Sequence, residues 1–172
     1  MDDAVMIILR IVHIFSGVVW VGATFFTVRL LQPAVQATGR EGQTFMQHLA
    51  GPGGLSRTFV IASGLTILSG LAMMAILSGL RPAWFGSPYG AALTIGALAA
   101  ILALVIGASQ TGRATQRMGA LGAEIRAGGG PPTAEQVAEM QRLGEKIARG
   151  GRLAALLLTI ALLGMAVAER LG

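Results

Sequence analysis

The chain has no cysteine, which excludes disulfides, thiolate metal sites, iron–sulfur clusters and a catalytic thiol. Charge is also scarce: Asp, Glu, Lys and Arg make up 12% of the 172 residues, about half the share of an ordinary soluble domain. No acidic residue occurs between Glu41 and Glu124. The first three apolar stretches therefore lack a carboxylate for general acid–base catalysis or for a proton relay. Ser and Thr within these stretches have no base to activate them and read as helix glue. The turn-like Gly51-Pro52-Gly53-Gly54 lacks the lysine and the strand–helix setting of a phosphate loop.

What the chain does have is apolar length. Hydrophobic residues make up 53% of it, the mean hydropathy is +0.69, and residues 11–28, 58–80, 82–112 and 153–168 contain no Asp, Glu, Lys or Arg. Each run approaches or exceeds the roughly 17 to 20 apolar residues that cross a bilayer core. These runs predict an all-α fold, a single integral membrane domain over residues 1–172, with a four-helix bundle whose spans lie at about 5–31, 58–80, 89–112 and 153–169. Arg10 and Arg29 extend their charged heads to the two surfaces of span one, and Pro33 is expected to end it. Asp2 and Asp3 stand where a cleaved leader would carry basic residues, so span one is read as retained.

Of the 13 basic residues, only Arg10, Arg81 and Arg170 fall on the side of the termini and the second loop. The other ten, including Arg29, Arg57, Arg113, Arg149 and Arg152, fall on the side of loops one and three. The positive-inside rule then places those loops in the cytoplasm and both termini outside. The net charge of +5 follows from topology and does not imply nucleic-acid binding. Trp84, Phe85 and Tyr89 gather at the short external loop, as an interfacial aromatic belt would.

Between spans three and four, Met118, Leu121 and Ile125 recur at helical spacing, as do Val137, Met140, Leu143 and Ile147. Gly128-Gly129-Gly130-Pro131-Pro132 separates them, and Thr133 with Gln136 forms a capping-box signature. A cytoplasmic helical hairpin over about 113–152 is expected, with Glu139–Arg142 and Glu145–Arg149 pairs on its exposed face. In loop one, Glu41 to Leu49 forms a short amphipathic piece along the inner membrane surface.

In span one, Arg10, His13, Gly17, Trp20 and Thr24 share one helical stripe, which is expected to face protein. An ionisable residue inside a span marks a buried partner or a functional site, which singles out His13. Span two offers Ser63, Thr66, Gly70 and Met73 or Met74, with small residues that permit close approach. His13 and Met73 lie at similar depth, about 10 to 12 Å from the outer end. His13 with Met73 or Met74 is therefore a candidate cofactor or metal site, for haem b or Cu(I), and Gly17, Trp20, Ser63 and Gly70 are candidate helix-packing residues. His48 lies beyond the opposite end of span one and is expected to be dispensable.

The segment Ile11-Val12-His13-Ile14-Phe15-Ser16-Gly17-Val18-Val19-Trp20-Val21-Gly22-Ala23, with Leu31-Gln32-Pro33-Ala34, resembles the first span of small bacterial four-span membrane proteins related to copper-resistance protein D. Phe45-Met46-Gln47-His48 and Ser63-Gly64-Leu65-Thr66-Ile67-Leu68-Ser69-Gly70 resemble the second helix of the same group. The resemblance covers roughly the first 80 residues and implies a bacterial inner membrane and an association with copper. A looser likeness to haem-binding membrane protoporphyrinogen oxidases implies haem, and both carry over only to His13. Without a catalytic set, the expected function is that of a non-catalytic accessory or scaffold subunit of a larger membrane complex, for example an electron-transfer or pigment-bearing one. Its expected partners are the bilayer and other membrane subunits. The alternative is a copper- or haem-handling protein using His13 with Met73 or Met74.

Overall fold

The computed structural model describes residues 2–49 and 54–172, and their regular structure is helical throughout. Helix α1 (Asp2–Phe26), a π-helical stretch (Thr27–Leu31) and α2 (Gln32–Thr38) make one rod. The short α3 (Arg40–Leu49), the long α4 (Leu55–Ser78) and the single turn α5 (Pro82–Phe85) follow. A second rod joins α6 (Pro88–Ile106), a π-helical stretch (Gly107–Gly112) and α7 (Arg113–Ala127), and α8 (Ala134–Ala168) completes the chain. Four runs, Asp3–Thr38, Leu55–Ser78, Pro88–Ala127 and Ala134–Ala168, are long and apolar enough to cross a membrane. The amphipathic piece expected in loop one is α3; the breaker residues Gly51, Pro52 and Gly53 lie outside the described residues.

Pro33 does not end the first helix, which runs on to Thr38. Proline offers no N–H to the Arg29 carbonyl, and its ring crowds that carbonyl. The chain accommodates it by widening the preceding turn, so that the Gln32 N–H donates to Thr27 O, five residues back.

The helices associate as two tight pairs, α6 with α8 and α1 with α4. The first pair relies on missing side chains. A Cβ on Gly164 would stand 2.9 Å from Ala92 O and 3.2 Å from Gly96 Cα, so the two backbones touch directly at this crossing. A cluster of Trp20, Ala62, Ala99, Ala100, Ala103, Ala154, Leu158 and Ala161 joins the pairs, with Trp20 as its one large ring. Large apolar residues face outward on every long helix: Phe15 is 72% exposed, Val60 71% and Leu68 69%.

Beyond the bundle, α7 packs on the first half of α8 through Leu121 and Leu143, flanked by Met118, Ile125, Met140 and Ile147. The connection turns at Gly129, with φ of +66°, and Thr133 starts α8 with a reciprocal capping box with Gln136. Arg142 pairs with Glu139 at 2.8 Å as expected. Arg117 pairs with Glu124 at 3.1 Å, and among the described residues the expected Glu145–Arg149 pair is not formed. At the opposite end, Trp84 meets Phe85 and Tyr89 edge-on, with centroids 5.1 and 5.8 Å away. Gly90 lies so close to the Trp84 carbonyl that no side chain fits there.

Candidate functional site

The seam between α1 and α4 joins four polar side chains, His13, Ser16, Thr66 and Ser69. His13 Nδ1 lies 2.8 Å from Thr66 O. A carbonyl only accepts, so Nδ1 carries the hydrogen, and in the neutral ring the lone pair is then on Nε2. Ser69 Oγ lies 3.3 Å from the same nitrogen and donates to Leu65 O. One turn further along, Thr66 Oγ1 reaches Ser16 Oγ at 2.9 Å and Ala62 O at 2.7 Å, while Ser16 Oγ donates to Val12 O at 2.6 Å. Ser16, Thr66 and Ser69 are buried and His13 is half-buried.

Glycine permits this approach. A Cβ on Gly70 would stand 2.8 Å from His13 Cε1 and 3.1 Å from Nδ1, so the imidazole lies against the bare α4 backbone. Gly17 is looser: a Cβ there would meet Thr66 Cγ2 at 3.7 Å, an ordinary contact. Thr24 donates to Trp20 O at 2.8 Å and Ser63 to Phe59 O at 2.6 Å, so both hydroxyls bond within their own helices.

The structure thus brings His13, Gly17, Thr66 and Gly70 into one seam, buries Ser63 with its hydroxyl bonded within α4, and sends Trp20 to the centre of the bundle. Arg10, at the N-terminal end of the stripe, is exposed. Met73 is half-buried and lies three residues beyond Gly70 on the same side of α4. Met74 instead lines a shallow apolar depression of about 190 Å³ with Leu71, Ala75, Ser78, Leu80 and Phe85. His48 is exposed, and its Nδ1 bonds Thr44 O of its own helix at 2.9 Å.

Sequence reasoning missed Ser16 and Ser69, which complete the seam, although both stand one turn from residues it singled out. It also missed a polar level at the other end of the bundle. The hydroxyl oxygens of Thr27 and Thr111, one in each π-helical stretch, are buried without a hydrogen-bond partner among the described residues. Both stretches converge on neighbouring glycines of α8. A Cβ on Gly150 would meet Thr111 Oγ1 at 2.5 Å, and one on Gly151 would meet Val28 Cγ2 at 3.0 Å. Periodicity carries no signal for this, because a π-turn shifts the helical phase without changing composition.

For a metal or haem, the seam supplies one imidazole nitrogen with a free lone pair, oriented through the hydrogen bond of the other nitrogen as histidine ligands are. Met73 adds a thioether on the neighbouring turn. Among the described residues no group of three His, Cys, Asp or Glu stands together. One imidazole with one thioether is a donor set that would suit Cu(I) or haem iron. No family model, no curated protein and no solved structure matches the chain.

Proposed function

We propose that the protein is a multi-pass protein of a bacterial inner membrane, with the α7–α8 hairpin in the cytoplasm and both termini outside, acting as a non-catalytic accessory or scaffold subunit of a larger membrane complex. The observation that carries this reading is how the seam uses its polar groups. His13 bonds Thr66 O and Thr66 bonds Ser16 across the seam, contacts that hold α1 to α4, while Ser16 and Ser69 also donate to carbonyls of their own helices. The outward faces of all four spans remain apolar, suited to lipid and to neighbouring helices.

The test places a photoreactive amino acid at the outward positions Phe15, Leu68, Leu98 and Leu163 in turn, in cells of the native host. Crosslinking from one face to a single integral membrane protein is expected. Lipid adducts alone at all four positions would overturn the accessory role. Single cysteines at Ser87 and Gly129 test orientation with an impermeant thiol reagent; labelling of Gly129 instead of Ser87 in intact cells would reverse it.

The second reading, a copper- or haem-handling protein, is favoured by the tautomer at His13, because the Nδ1–H bond to Thr66 O leaves Nε2 as a donor. His13 and Met73 would hold the group, which would supply one-electron chemistry. Under this reading His13→Ala abolishes the Soret band or the bound copper of protein from supplemented cells, and His48→Ala keeps it. Wild-type protein containing neither would remove the reading.

A further inference from the structure

The outward face of α8 changes character along its length. Taking Arg149 as the origin and 100° per residue, Lys146, Arg149 and Arg152 lie within 60° of one line along the helix, and Leu156, Ile160 and Leu163 continue that line. Gly151, Ala154 and Leu158 lie on the opposite side and Gly150 on the flank, and all four are buried. The three basic residues are exposed, and Leu156 and Leu163 are 58% and 59% exposed. The face is therefore a basic strip that runs directly into an apolar strip.

The basic end carries no recorded ion pair among the described residues. The pairs Arg117–Glu124 and Arg142–Glu139 occupy two hairpin carboxylates. Glu145, exposed and one turn before Arg149, lies within the strip as its one carboxylate, so the strip keeps three positive charges against one negative. Arg29 and Arg113 stand at the same level of the bundle, because Val28 and Thr111 meet Gly151 and Gly150 there. Exposed guanidinium groups outside the two ion pairs thus stand on three helical segments where the apolar length of the bundle ends.

We propose that this face of α8 binds an anionic phospholipid of the phosphatidylglycerol class, with its phosphodiester at Lys146, Arg149 and Arg152 and its acyl chains along Leu156, Ile160 and Leu163. Charge complementarity selects the occupant. Guanidinium groups one turn apart offer the planar donors that phosphate oxygens accept, and the adjoining leucine strip matches the tails of the same molecule. The inference rests on the reading that α8 crosses a bilayer.

The test is native mass spectrometry of the full-length protein released from bilayer nanodiscs, titrated with phosphatidylglycerol or phosphatidylcholine. Phosphatidylglycerol is expected to bind at least tenfold more tightly. The Arg149→Gln/Arg152→Gln double variant is expected to lose about 25-fold, about fivefold for each basic residue near an anionic headgroup. Glu145→Gln should tighten binding. Arg117→Gln/Arg126→Gln, which removes the same charge on α7, should change it less than twofold. All four of these arginines are exposed, and unaltered far-UV circular dichroism confirms folding of each variant. Equal affinity for the two lipids, retention by the Arg149/Arg152 variant, an equal loss in the α7 variant, or displacement by millimolar inorganic phosphate would each overturn the proposal. Protein that fails to enter nanodiscs at all would overturn the membrane reading as well.

Discussion

Gly70→Ala isolates what the seam contributes. In an exposed helix the change is favourable by about 1 kcal/mol, because alanine is the better helix former. Here the new methyl would stand 2.8 Å from His13 Cε1 and 3.1 Å from Nδ1, closer than carbon atoms pack, and the ring must swing away from Thr66 O. Losing an interhelical hydrogen bond within a bilayer costs about 0.6 to 2 kcal/mol, and forcing a methyl into a filled interface costs about 1 to 3. The net expectation is a loss of about 1 to 3 kcal/mol. In a His13→Ala background the obstacle is gone, and the same substitution should be neutral or stabilise by up to about 1 kcal/mol. The coupling between positions 13 and 70 should therefore reach about 1 to 4 kcal/mol, read from reversible unfolding of the four proteins of the cycle in mixed micelles. Equal effects of Gly70→Ala in the two backgrounds would refute the packing of the imidazole on the α4 backbone, and with it the hydrogen-bond assignment of His13.

Gly164→Val should cost about 3 kcal/mol, since its obstacles, Ala92 O and Gly96 Cα, are backbone atoms that cannot turn aside; Gly22→Ala, which meets nothing within 4 Å, should raise the melting midpoint or leave it unchanged. Gly79 and Leu80 both hold positive φ, at 54° and 57°, so Gly79→Ala should destabilise by about 1 to 2 kcal/mol, and Leu80→Gly should stabilise by up to about 1 kcal/mol in the same melting assay. Thr111→Val removes a buried hydroxyl that has no partner among the described residues, and it should stabilise by about 1 kcal/mol where an ordinary Thr→Val change at a bonded position would not.

How the chain is organised was legible from residue order alone. Four charge-free runs marked four helices long and apolar enough to cross a membrane, because an apolar run of that length satisfies its backbone internally as a helix. Gly128 to Pro132 and the Thr133–Gln136 box set the hairpin, because their constraints are local. His13 was conspicuous because an imidazole inside an apolar run is costly. Its partners were not legible: Thr66 and Ser69 are more than 50 residues away in sequence, and which turn of α4 meets α1 depends on where glycine lets the backbones approach. Pro33 signalled a helix end that a widened π-turn absorbed. The convergence of both π-helical stretches on Gly150 and Gly151 was likewise invisible. Composition and period determine which segments are helices and which faces are apolar, since those depend on neighbours along the chain. Only the tertiary structure decided which bare patches of backbone touch, because ångström-scale contact between distant helices depends on the registers of both.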